Sequence, residues 1–273
     1  MQQLSMSEIT TYRWSFDQDV ENFQESGYES ISVWLQKLTD FGEENGIDLL
    51  AASSLQVSSM LWSGGFTGSD GCSFRESVKE TIRALRLSAA VEAGCLVIYT
   101  GGRNNHTLRH ANRLVRTALD ELLPIAEVVE VPLAIEPMHP ACATEWTFLT
   151  DLEQTLDLVE QYDTPYLKMV SDTYHFSLEQ CGPSLLARLV PQLALIHLGD
   201  RQQPPSIDHE RCQLGSGQLP LEKTIATVIE AGYEGDFDVK LMGHEIEPTS
   251  YWTILEQSRL AFARFMSACP QLS

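Results

Sequence analysis

Ala134-Ile135-Glu136-Pro137-Met138-His139 is the stretch whose reading decides the fold. An apolar run, Val131 to Ile135, delivers a carboxylate at its end, and Pro137 stops the strand there. A strand covered on both faces reads as a short hydrophobic run of this kind. A carboxylate at its last position is no ordinary surface group, because burying it unpaired is unfavourable. It needs a cation, a hydrogen-bond network or a change of protonation. Two later stretches repeat the pattern: Met169-Val170-Ser171-Asp172-Thr173-Tyr174-His175 and Leu193-Ala194-Leu195-Ile196-His197-Leu198-Gly199-Asp200. Apolar strands ending in Glu, Asp and His predict one site at one end of a parallel sheet.

The rest of the chain supplies the other units of such a sheet. Gly27, Gly46, Gly94 and Gly232 each follow a helical stretch and precede a strand-like run, as glycines that close helices do. Strands are predicted near 8–12, 30–34, 55–61, 95–100, 131–137, 167–173, 193–198 and 236–242. Between them, Val78-Ile82-Leu85-Ala89, Val115-Leu119-Leu122-Ala126 and Leu221-Ile225-Val228 keep helical spacing. Pro124 should kink or end its helix early. A last helix is expected over roughly 249–268. Eight strands alternating with eight helices predict an α/β chain folded as a (β/α)8 TIM barrel, with residues 1–273 as a single domain. The competing doubly wound sheet would want a Gly-rich phosphate loop after the first strand, and none is present. The longest irregular stretches, Ser63 to Gly71 and Arg201 to Gly217, each follow a strand, on the face where barrel sites are built.

Composition excludes several classes of function. Eighteen basic against 38 acidic residues give a formal net charge of −20, which repels nucleic-acid backbones and anionic membranes. Six cysteines with no close pair read as free thiols in a reducing compartment. No signal-like segment opens the sequence, and no apolar run approaches the roughly 18 residues that span a bilayer. A cytoplasmic protein acting on a small molecule, alone or as a homo-oligomer, is the expectation.

Glu136, Asp172 and His197 would converge from the fifth, sixth and seventh strands. Two carboxylates and an imidazole suit Mn²⁺, Mg²⁺, Co²⁺ or Zn²⁺. His175, three residues beyond Asp172, is placed to touch a ligand, and His139 is either a rim residue or a substrate contact. Arg211 precedes the turn Leu214-Gly215-Ser216-Gly217, which could bring a guanidinium over the site. Trp14 and Trp62, near early strand ends, could stack on a sugar ring or simply pack.

These motifs resemble the xylose isomerase-like TIM-barrel superfamily of sugar isomerases and epimerases, which also includes inosose dehydratases and endonuclease IV. The matches are Ile135-Glu136-Pro137, Ser171 to His175, Ile196 to Asp200, Arg211 with Leu214 to Gly217, and Gly232-Tyr233-Glu234-Gly235. Thr10 to Trp14 and Gly27-Tyr28-Glu29 also fit, so the likeness spans nearly the whole chain. It implies that Glu136, Asp172 and His197 are metal ligands and that His175 and Arg211 contact substrate. It also implies proton transfer beside a carbonyl of a small ketose, polyol or inosose through an enediolate, with Glu136 as base.

One departure stands out. The family's last strand normally ends in a glutamate that is both metal ligand and second acid/base residue, whereas Phe237-Asp238-Val239-Lys240-Leu241 places Lys240 there. Glu245 and Glu247 follow five and seven residues later. An ammonium carries the +1 that a glutamate and a divalent ion would place together, so Lys240 could hold the two carboxylates and disfavour a bound ion, and either it or a divalent ion is the catalytic cation beside the developing oxyanion. The alternative is a sugar-binding relative that has lost the proton shuttle. An endonuclease IV-type DNA repair site is a remote third reading, since further histidines are missing at strands three and four.

Overall fold

The computed structural model describes residues 3–269. Eight parallel strands close into a barrel in chain order: β1 (Leu4–Ser7), β2 (Ser30–Trp34), β3 (Gln56–Gly64), β4 (Leu96–Tyr99), β5 (Leu133–Ile135), β6 (Leu167–Asp172), β7 (Leu193–Leu198) and β8 (Asp236–Val239). β8 pairs back onto β1, with Leu4 beside Phe237 and Met6 beside Val239. The helices are α1 (Phe16–Glu25), α2 (Leu35–Phe41), α3 (Glu43–Ala52), α4 (Phe74–Ala90), α5 (Leu108–Val129), α6 (Leu152–Glu160), α7 (Pro183–Leu189), α8 (Leu221–Glu230) and α9 (Tyr251–Ser267). This is the (β/α)8 TIM barrel, with a ninth helix among the described residues because two follow β2. No helix among the described residues is long and apolar enough to cross a membrane.

Hydrophobic packing forms two layers. The larger joins the outer faces of the strands to the helices and includes Met6, Ile31, Met60, Leu96, Ile135, Met169 and Ile196. The smaller fills the barrel with Leu61, Cys95, Val97, Ala134, Val170 and Leu195, capped by Ile9. Strand alternation sends neighbouring residues to opposite layers. Around β1 to β3 the interior is instead hydroxyl-lined: Ser5 meets Ser58 at 2.8 Å and Ser32 meets Ser59 at 2.7 Å.

Four expectations are corrected here. The first strand is Leu4–Ser7 and not 8–12, because Ser5 and Ser7 face this polar interior and hide the strand from a search for apolar runs. Residues 8–13 turn over the barrel mouth, Thr10 N–H donating to Ser7 O at 2.9 Å. α5 runs through Pro124, whose ring lies on the exposed face, where water can take the carbonyl left without a partner. Gly46 does not close a helix but lies inside α3, where a Cβ would sit 2.1 Å from Leu38 Cδ1 of α2. Gly27 and Gly232 take the left-handed conformation after α1 and α8 as expected, at φ 73° and 92°, while Glu92 takes it in place of Gly94 after α4.

A buried polar cluster ties the barrel mouth to the first helices. Lys37 of α2 pairs with Asp19 of α1 and donates to Thr11 O at 3.0 Å. Beside them Glu8 Oε2 accepts the Trp34 N–H at 2.6 Å. Burial, reinforced by Asp19, pushes the Glu8 carboxyl well above its ordinary range, and burial pushes Asp19 up to about 6 against the pull of Lys37.

Candidate active site

The three strand ends meet as the spacing predicts. Glu136 directly follows β5, Asp172 ends β6, and His197 lies in β7 beside Asp172 in the register. All three are fully buried, and their ligand-type atoms lie within 4.8 Å of one another, a group able to hold a divalent ion. Lys240 reaches the same point from the end of β8. Its Nζ donates to Glu136 Oε1 at 2.9 Å and Oε2 at 3.2 Å, and lies 3.2 Å from His197 Nδ1 and 3.7 Å from Asp172 Oδ2.

Two residues missing from the sequence reading complete this centre. Tyr99, the last residue of β4, donates its hydroxyl to Glu136 Oε2 at 2.5 Å and accepts from Lys240 at 3.3 Å. Asp238 of β8 lies beneath His197, its Oδ2 3.6 Å from Nε2. His197 Nδ1 also lies 3.1 Å from Glu136 Oε1, so this nitrogen either donates to the carboxylate or accepts from the ammonium, according to its tautomer. Burial pushes the Asp238 carboxyl up to about 6, opposed by His197 and the Ser5 hydroxyl. The strand-end rule finds Tyr99 once it is extended from charged groups to a phenol. An acid two residues before Lys240, on the same face of a buried strand, is the corresponding signal for Asp238.

Arg211 is already engaged. Its guanidinium donates to Asp172 Oδ2 at 2.7 Å and lies 4.2 Å above the Tyr174 ring, and the residue is 2% exposed. The motifs around it explain the placement. Tyr174 N–H donates to Asp172 Oδ1 at 2.8 Å, while Thr173 exchanges hydrogen bonds with Gly199 at 2.7 and 2.9 Å. Gly199 leaves room for the arginine, since a Cβ there would lie 2.8 Å from its Nε. Asp200 then pins the long loop by accepting the N–H groups of Arg201, Gly215, Gly217 and Leu219 at 2.8 to 3.2 Å.

The protonation states follow from these contacts. Burial raises Glu136, but Lys240, His197 and Tyr99 together outweigh it and hold the carboxyl well below its usual range. For Asp172 burial is likewise outweighed, chiefly by Arg211, which brings it down to about 2. His175 is 5% exposed with both ring nitrogens unpartnered, and burial lowers it to about 3, so it is neutral. His209, which reads as a loop or surface residue in the sequence, lies in the loop after β7, stacks on Tyr174 at 6.2 Å and lies 5.7 Å from His175. His139 stays at the rim, where Nδ1 accepts the Ala141 N–H at 3.2 Å. Glu245 and Glu247 are exposed and do not take the place of the missing strand-end glutamate.

A cleft of about 290 Å³ adjoins the centre at Tyr99, between the loops after β3 and β5. Trp62, Tyr99 and Trp146 line it edge to face, with ring centres 5.1 to 5.7 Å apart. Gly64 lets the end of β3 press on β4, since a Cβ there would lie 2.0 Å from Tyr99 O. Asp70, Glu76, Glu80 and Glu145 are the charged residues of its lining. Trp14, by contrast, packs against Tyr251 and Trp252.

Known proteins place this arrangement in context. An inosose isomerase of Halalkalibacterium halodurans is 23% identical over 241 residues, which is 83% of each chain. Among solved structures, a Sinorhizobium meliloti 1021 protein superposes with a TM-score of 0.86 at 23% identity, covering 97% of this chain and 98% of that one. An IolI protein with a bound zinc atom superposes at 0.84 with 18% identity, covering 99% and 100%. The family model described as a xylose isomerase-like TIM barrel matches residues 20–252, so the chain belongs to the xylose isomerase-like TIM-barrel family.

Proposed function

We propose that this protein is a sugar isomerase or epimerase acting on a small ketose, polyol or inosose by proton transfer beside a carbonyl. The observation that carries the reading is the fully buried Glu136, held ionised with Lys240 and Tyr99 within hydrogen-bond reach of it. An ionised carboxylate accepts the proton from the carbon next to the carbonyl, and nearby donors receive the charge that develops on the carbonyl oxygen as the enediolate forms. When that oxygen draws on Lys240 and Tyr99, their hold on Glu136 slackens and the carboxylate becomes a stronger base. Neutral His175, with both ring nitrogens unpartnered, is suited to bind a substrate hydroxyl. Arg211 holds Asp172 and borders the same space.

The aromatic cleft is the natural seat for the substrate. Tyr99 turns its ring into the cleft and its hydroxyl onto Glu136. At about 290 Å³ the cleft falls at the small end of ligand pockets, which run to roughly 1,000 Å³. Its walls carry four carboxylates and, among the described residues, no lysine or arginine, which disfavours phosphate esters. The isomerase activity of the H. halodurans relative supports the same class.

The test is solvent-deuterium exchange, followed by NMR, on a panel of free ketoses and inososes and their phosphate esters. Exchange at the carbon beside the carbonyl of an unphosphorylated substrate, abolished in Glu136→Gln, is the expected result. Binding without exchange would instead establish the second reading, a sugar-binding relative. That reading draws on one observation, Lys240 standing where the family's second glutamate is expected.

A further inference from the structure

At the strand ends, the carboxylates of the centre find their cations in the same chain. Glu136 and Asp172 contribute two negative charges, and Lys240 and Arg211 supply two positive ones. Each carboxylate has its own cation, Lys240 on Glu136 at 2.9 Å and Arg211 on Asp172 at 2.7 Å. The donor set of Glu136, Asp172 and His197 suits a divalent ion, but Lys240 Nζ lies within 3.7 Å of an atom of each of the three. Metal–ligand bonds are about 2.0–2.2 Å long, so an ion bonded to these donors would sit against the ammonium. The four residues together therefore do not fit an ion, although three of them would.

The lysine is also anchored. Its backbone N–H donates to Leu198 O at 3.0 Å. The Thr10 hydroxyl accepts the Leu241 N–H at 2.9 Å and donates to Val239 O at 3.2 Å, so the backbone on both sides of Lys240 is held. Below, Asp238 Oδ2 stands 3.6 Å from His197 Nε2, while Nδ1 of the same ring lies 3.2 Å from the ammonium.

We infer that Lys240, backed by Arg211, replaces the divalent ion of this site, and that the protein works without metal. The ammonium holds the carboxylates together and is the electrophile for the substrate's carbonyl oxygen. The second part rests on the isomerase or epimerase reading; the first does not.

The experiment measures metal content in the untagged full chain, purified without chelator and again after incubation with excess Mn²⁺, Co²⁺ or Zn²⁺ and desalting. Lys240→Glu and Lys240→Met are carried in parallel, with thermal shift as a second readout. The wild type is expected to hold far less than one ion per chain and to show no metal-dependent shift. Lys240→Glu is expected to take up one ion per chain and to gain stability with added metal. A stoichiometric ion in the wild type overturns the inference. So does failure of every folded Lys240 variant to gain metal affinity, since the lysine would then not be what excludes the ion. Should Lys240→Glu not fold, Lys240→Met exposes the three remaining donors and decides the point. Where the wild type turns over a substrate, the rate is expected to survive EDTA. Where no substrate turns over, the isomerase reading fails and the metal measurements still stand.

Discussion

Replacing Lys240 with methionine keeps the side chain's reach and removes its charge. Glu136 has no exposed surface and Lys240 only 4%, so the variant leaves a carboxylate buried with its nearest cation gone. Breaking a buried pair in this way costs about 3–5 kcal/mol. A chain of 273 residues has an unfolding entropy of about 570 cal/mol/K, so the melting temperature should fall by about 5–9 °C near neutral pH. The pH dependence separates this account from simple loss of packing. In the wild type the folded value of Glu136 is depressed, so its stabilisation is present above its ordinary value of 4.5 and is lost only as pH falls through the lower folded value. In the variant burial is no longer offset by Lys240, and the folded value rises. Its stability is then full below the ordinary value and declines as pH climbs through the raised one. The gap between the two proteins should therefore widen from about pH 5 to about pH 8 in a calorimetric or fluorescence melt. A gap that stays constant with pH, or no gap at neutral pH, would refute the charge-pair account.

Other substitutions probe the remaining contacts. Arg211→Ala strands Asp172 and should lose about 3–5 kcal/mol in urea unfolding, with Arg211→Lys intermediate because it keeps the charge but not the stacking on Tyr174; an alanine variant as stable as the wild type would show the pair to be neutral. Glu136→Gln should lower substrate deuterium exchange by about 10²-fold or more while leaving the chain folded, and exchange at the wild-type rate would remove Glu136 as the base. Trp62→Ala should raise KM far more than it lowers kcat, as expected for a wall of the substrate cleft, and a pure kcat effect would count against that placement. Glu8→Gln can still accept the Trp34 N–H and should match or exceed the wild type in melting temperature at about pH 8. The raised Glu8 value means that the wild type loses this acid's contribution as pH climbs through it, so a less stable variant at that pH would contradict the assignment.

The sequence made the outer half of this structure legible and hid much of the inner half. β5, β6 and β7 announce themselves because they are largely apolar up to a Glu, Asp or His at or near their ends, and that residue marks the site. β1 does not, since Ser5 and Ser7 face a hydroxyl-lined interior that no single strand reveals. The convergence of Glu136, Asp172, His197 and Lys240 follows from strand ends alone. The pairing of Arg211 with Asp172 does not, because it depends on how Asp200 folds a long loop back over the barrel. Tyr99 and His209 were hidden by kind: an aromatic residue at the end of a strand or in a loop is more often packing than chemistry, and only distances separate the two. Pro124 and Gly46 are read by local rules that the exposed face of α5 and the close approach of α2 override.

The Thr10 bridge has a consequence for how the protein comes together. Thr10 follows the first strand, Lys240 follows the last, and the hydroxyl of one grips the backbone around the other. The backbone around the cation is therefore held from both sides only when the two ends of the sheet join, a closure that spans most of the chain and must await its C-terminal part. Until then Lys240 is held from the β7 side alone, through Leu198 O. Zipping β8 onto β1 completes that hold, so the buried charge centre shares its anchoring with the seam that closes the ring.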